Sequence, residues 1–158
     1  MSRARVLLIL ALAAFLGWLS WLGYAVYEAR YAPGRSPVLS RAQLAAANYL
    51  IVAEVAVAAD GLPAPSAKVA EVLKGGGVAA GDSIEVLNLP AAKPPGPGEF
   101  PGPGTYLLPL VREGQAGPFR VAGRPRSPGY EPTTAERPPI YVWNDDTKAQ
   151  LKGLGLLP

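Results

Sequence analysis

From Val6 to Tyr27 the chain carries no charged side chain. As a helix rising about 1.5 Å per residue, this stretch reaches roughly 33 Å, enough to cross a hydrocarbon core of about 30 Å. Nothing else in the sequence constrains the fold as much. A helix in a soluble core would show a polar face somewhere along such a length. The residues before it, Met1-Ser-Arg-Ala-Arg5, make a short basic tail. The predicted organisation is therefore a tail at 1–5, a transmembrane anchor at 6–27 and a linker at 28–39, with a β domain at 40–123 and a Pro-rich connector with a C-terminal docking segment at 124–158.

A basic start and an apolar run also describe a secretory signal peptide, and Gly23-Tyr-Ala25 has the small-x-small pattern of a cleavage site. Two features favour an uncleaved signal-anchor. The run exceeds the about 7–15 residues of a signal h-region. Trp18, Trp21, Tyr24 and Tyr27 crowd its C-terminal half, where an aromatic belt meets the interface. Arg3 and Arg5 precede the span while Arg30, Arg35 and Arg41 follow it, so counting cations leaves orientation open. The short basic tail favours the N-terminus inside and the domain outside the cytoplasm. Ala13 and Gly17 form a small-xxx-small pair, a spacing common in any Ala-rich span.

Composition removes several chemistries. There is no cysteine and no histidine. Disulfides, thiolate metal sites and cysteine nucleophiles are excluded, as are the commonest general base and transition-metal ligand. A net charge of +3, scattered along the chain, offers no basic stripe for nucleic acid.

The remainder reads as short strands separated by turn residues. Ser40-Arg-Ala-Gln43 has capping-box spacing and predicts a short helix over Arg41 to Asn48. Tyr49 to Ala58 is apolar and β-branched, with Val55 and Val57 expected inside, and Asp60-Gly61 ends it. Ala67 to Lys74 predicts a second strand, closed by Gly75-Gly-Gly77. Asp82 to Leu89 predicts a third, with Ile84, Val86 and Asn88 on one face and Glu85, Leu87 and Leu89 on the other. Thr105 to Val111 is the fourth, at an edge or bulged because Pro109 lacks an amide donor. Phe119 to Ala122 is the fifth. Five such strands predict a mainly β fold, a small five-stranded antiparallel barrel or sandwich with short flanking helices. Ala91 to Gly104, rich in Pro and Gly, predicts an extended surface loop. After the connector, Ile140 to Trp143 should dock back on the barrel. Asp145 or Asp146 should cap a last helix over Thr147 to Lys152, ended by Gly153.

Chemistry is sparse. Glu54, Glu71 and Glu85 fall near the middle of the first three predicted strands, where paired carboxylates would do acid/base work or bind a hard cation. The simpler reading is the solvent face of a half-buried sheet. Ser66 with Lys68, or Ser83 with a lysine, gives a formal Ser–Lys dyad without an activating setting. Asn144-Asp145-Asp146 lacks the alternation of a calcium loop, and Lys74-Gly-Gly-Gly77 lacks the Walker spacing. Phe100, Tyr106, Phe119, Tyr130, Tyr141 and Trp143 read first as large core members and second as a groove lining. Glu99 and Phe100 are the acidic and aromatic groups of the Pro/Gly loop, hence the candidate binding lip if that loop is more than a connector.

The order of Val69 to Gly75 (VAEVLKG), Asp82 to Leu89 (DSIEVLNL) and Gly104 to Leu108 (GTYLL) resembles the rhythm of small OB-type barrels, including netrin-like modules. The resemblance spans roughly residues 49–122 and implies a five-stranded barrel. Netrin-like inhibitors rely on cysteines, and the anchored, OB-type haem chaperones rely on a haem-attaching histidine. The chain has neither residue, so neither activity carries over. The expectation is a non-catalytic, membrane-anchored interaction or assembly module with a protein partner, and no cofactor, metal or nucleic acid. A small-molecule or polysaccharide-binding module is the alternative, and a carboxylate-based hydrolase the third.

Overall fold

The computed structural model describes residues 3–31, 38–95, 99–112, 114, 117–123 and 137–157. The linker core at 32–37, residues 96–98 of the Pro/Gly loop, and the connector at 124–136 with Tyr130 lie outside the described residues. Two units are present, one up to Arg35 and one from Ser36.

The first unit is helix α1, Arg3–Tyr31. Its segment Arg3–Tyr27 is long and apolar enough to cross a membrane, and none of that span is buried. The helix runs on through 28–31, beyond the end expected at Tyr27 and into the expected linker. Glu28, Ala29 and Arg30 are good helix formers, and the first proline comes only at Pro33.

The second unit is mainly β. Helix α2 (Arg41–Ala46) precedes strands β1 (Tyr49–Val57), β2 (Pro63–Lys74), β3 (Ser83–Glu85), β4 (Gly104–Arg112), β5 (Phe119–Val121) and β6 (Tyr141–Val142), and helix α3 (Asp145–Gly153) follows. All the ladders are antiparallel, in the order β3-β2-β1-β4-β5, with β6 also on β4. The central position of β1 agrees with its apolar sequence. Six strands form where the sequence suggested five, because Tyr141 and Val142 of the docking segment pair with Leu107 and Tyr106.

The sheet is open rather than a closed barrel. β3 and β5 are three residues each and meet at a single parallel bridge, Val86–Phe119, where the Leu87 amide donates to the Phe119 carbonyl (3.0 Å). The strand expected over Asp82 to Leu89 stops early because Pro90 helps start a 3-10 turn at Leu89–Ala91. Leu89 is consequently buried with Ile84 and Val86 instead of facing away from them. At the seam a side chain replaces the missing ladder. Asn88 Nδ2 donates to the Val121 carbonyl (3.1 Å), and its Oδ1 accepts from the Val121 amide (2.7 Å).

Two apolar clusters sit on opposite faces of the sheet. Ile51, Ala53 and Val55 of β1 join Val69, Ile84, Val86, Leu108 and Phe119 inside the curl. Leu50 and Val52, one residue out of phase, pack instead with Leu44, Leu107, Tyr141 and Leu151. The period of two thus buries both faces over most of β1. Val57 departs from the expectation at 38% exposure, because register with β2 shifts between Val55 and Val57. Pro109 is not on an edge strand, since it pairs with Leu50. Its carbonyl accepts from Ala122, so its missing donor faces the other side of β4, where partnering passes from β6 to β5.

Helix ends and one turn explain the local sequence. Ser40 Oγ accepts from the Gln43 amide (3.3 Å), half of the expected capping box. The other half is absent: Tyr141 Oη accepts from the Ser40 amide (3.1 Å), which frees the Gln43 side chain to point inward. Asn144, not Asp145 or Asp146, caps α3, its Oδ1 accepting from Thr147 (2.9 Å). The helix ends beyond Gly153: Leu156 donates to the Leu151 carbonyl and Gly155, at φ 69°, donates to that of Lys152. These are the bonds of a Schellman motif with Gly155 in the left-handed position. Gly75 has φ 110°, and a Cβ there would collide with the Tyr49 ring.

Candidate functional site

Register places one polar row across four strands. Glu54 of β1 pairs with Lys68 of β2 and with Thr105 of β4, and Lys68 pairs with Ser83 of β3. These residues alternate with the buried Ala53, Val55, Ala67 and Ile84, so the row faces outward. Ser66, Ala56, Pro103 and Gly104 complete a groove of about 530 Å³. Hydroxyl, ammonium, carboxylate and hydroxyl follow one another along its floor, a pattern suited to a hydrogen-bonding ligand of mixed polarity.

The sequence candidates distribute unevenly around this groove. Glu54 lies in it, whereas Glu71 pairs with Val52 and Glu85 with Ser66, so no two of the three glutamates face each other in register. Among the described residues no group of three or more Asp, Glu, His or Cys side chains is placed to hold a metal ion. Ser83 and Lys68 are register neighbours, but both are exposed. Nucleophiles of the Ser–Lys kind work in desolvated pockets.

Glu99 is exposed and does not line the groove. Phe100 is half-buried and leans on Tyr106, with ring centroids 5.2 Å apart. Tyr106 donates from its hydroxyl to the Gly102 carbonyl (2.7 Å), and burial pushes its phenol pKa up. The Pro/Gly loop is therefore docked on the core through Phe100 and Gly102, and also through Lys93, which bridges to Pro139. Its contribution to the groove is the wall at Pro103 and Gly104. Of the other aromatics, Tyr106, Phe119 and Tyr141 are core residues, and Trp143 is half-buried under a Lys148 ammonium 5.6 Å from its ring centroid. Thr105 and Pro103 were not legible as site residues, and Lys68 only as a formal dyad partner of a serine, because nothing in a single strand tells which exposed side chains its neighbours will meet.

A second concave region lies beside α2. Arg41, Leu44, Ala45, Lys74, Gly153, Leu154 and Leu156 line a cleft of about 360 Å³. It adjoins a smaller one, about 240 Å³, that shares Arg41, Gly153 and Leu154 and adds Val38, Leu39 and Gln150. Lys74 Nζ donates to the Ala47 carbonyl (2.8 Å), closing the C-terminal end of α2.

Protein-family models, curated proteins and solved structures yield no match to this chain.

Proposed function

We propose that the chain is a non-catalytic interaction or assembly module, tethered by α1 as a signal-anchor and displaying its β domain outside the cytoplasm. The observation that carries this reading is the Glu54–Lys68–Ser83–Thr105 row, whose groove recruits residues from four strands and the end of the Pro/Gly loop. The strand order, with β3 and β5 touching in parallel, supports an OB-like, partly open architecture. In OB-folds the face of strands 2 and 3 carries ligands, and Ser66, Lys68 and Ser83 lie on that face here. Alternating charges and hydroxyls suit a polypeptide partner better than a sugar, which prefers an aromatic platform. Phe100 is committed to Tyr106.

The test is proximity labelling from intact membranes with the full chain, against a Lys68→Glu/Ser83→Arg variant of unchanged melting temperature. The reading expects a partner set that the variant loses. Identical labelling by both proteins, or a mature soluble form beginning at Val26, overturns it. Cysteine accessibility from each side, on this cysteine-free background, reads the orientation.

A further inference from the structure

We infer that the cleft beside α2 is a second, separate contact surface, which seats the β domain on an anionic bilayer surface. Arg41 belongs to both adjoining concavities, Lys74 lines one of them, and no carboxylate lines either. Lys152 is exposed in the last turn of α3, adjacent in sequence to the lining Gly153 and Leu154. Among the described residues the one ion pair, Lys148–Asp145, lies in the first turn of α3, so none of these cations has a carboxylate partner there, and Lys74 is held by its hydrogen bond to the Ala47 carbonyl. Apolar side chains accompany them. Val38 is 83% exposed, and Leu156 is exposed beside the cleft floor of Leu44 and Leu154. Cations around exposed aliphatic side chains match a surface of anionic headgroups over acyl chains.

Chain length supports the same occupant. Six residues, 32–37, separate Tyr31 from Val38, and at about 3.6 Å per extended residue a linker of that length has a maximum reach of about 25 Å. With α1 read as the anchor, on which this inference rests, a linker of that length tethers the β domain to the membrane. A short tether gives an effective concentration in the mM range, and each cation at an anionic surface gains about fivefold. Three cations then suffice for a surface that would be too weak in free solution.

The test uses the full chain reconstituted into vesicles of phosphatidylcholine, alone or with a third of phosphatidylglycerol. Because the chain has no cysteine, Leu156→Cys carries a single environment-sensitive fluorophore. Leu62→Cys, in the turn at the far end of β1, carries the same probe as control. A blue shift at Leu156 is expected only with phosphatidylglycerol, with none at Leu62. It should reverse as salt shortens the screening length from about 10 Å at 0.1 M to about 3 Å at 1 M. Arg41→Glu/Lys152→Glu should abolish it, and the salt titration stands alone if that variant folds poorly. Equal spectra in the two lipids, equal shifts at both probes, or a shift unmoved by salt overturns the inference. Failure of the chain to insert into vesicles at all would instead refute the anchor.

Discussion

Gln43 offers the sharpest test of how this small domain holds its C-terminal segment. Its side chain is fully buried. Nε2 donates to the Ala122 carbonyl (2.7 Å) and to the Pro139 carbonyl (2.8 Å), while Oε1 accepts from Tyr141 Oη (2.7 Å). One carboxamide therefore clasps residues on both sides of 124–136 and links them to β6. Gln43→Met keeps the length of the side chain and removes all three bonds. At about 1 kcal/mol net per bond, the loss of the three bonds should cost about 3 kcal/mol. For a domain of roughly 120 residues, at about 4 °C per kcal/mol, Tm should fall by about 12 °C. Tyr141→Phe leaves both carbonyls satisfied but removes two bonds, the one its hydroxyl donates to Gln43 and the one it accepts from the Ser40 amide, and should cost about 2 kcal/mol. The double variant should be less destabilised than the sum, because the Gln43–Tyr141 bond is counted in both singles. Calorimetry on the four proteins, with limited proteolysis across 123–138, reads the cycle. A Gln43→Met variant melting within 2 °C of wild type, by the same conversion about 0.5 kcal/mol, would refute the clasp.

Further expectations are as follows. Val55→Asp places a charge at a buried position in the central strand and should cost more than about 4 kcal/mol, enough to leave no cooperative melting transition by circular dichroism. Gly75→Ala forces a Cβ into the Tyr49 ring at a left-handed φ and should cost about 2–3 kcal/mol; an unchanged Tm would show that Tyr49 moves aside freely. The raised pKa of Tyr106 means the folded state holds that proton more tightly than the unfolded chain. Its contribution is full below the unfolded value near 10 and is lost as pH rises through the folded pKa. Tyr106→Phe should flatten the alkaline decline in chemical-denaturation midpoints, and an unchanged slope would contradict the assignment. The full chain should stay with membranes through alkaline carbonate washing, and its release into the supernatant would argue against a spanning α1.

Local pattern was enough for α1, the central strand and the capped helix α2. The uncharged run to Tyr27 specifies a helix that no small core could bury. The β-branched stretch from Tyr49 made the central strand legible, and Ser40 announced its helix, because each of these signals acts within a few residues. Gly75 was readable as a turn, but its left-handed φ against Tyr49 is a contact across the fold. Tertiary structure decided everything that depends on neighbours. Gln43 looked like the second half of a capping box until Tyr141 took the Ser40 amide. Tyr141 and Val142 became a strand only because β4 had an unpaired edge there, and Asn88 became the seam because β3 and β5 were too short to pair. The polar row follows the same logic. Glu54, Lys68 and Ser83 stood out in their own strands only as members of other pairings, and Thr105 not at all; only the register between strands, fixed by which faces bury apolar side chains, brings the four side by side.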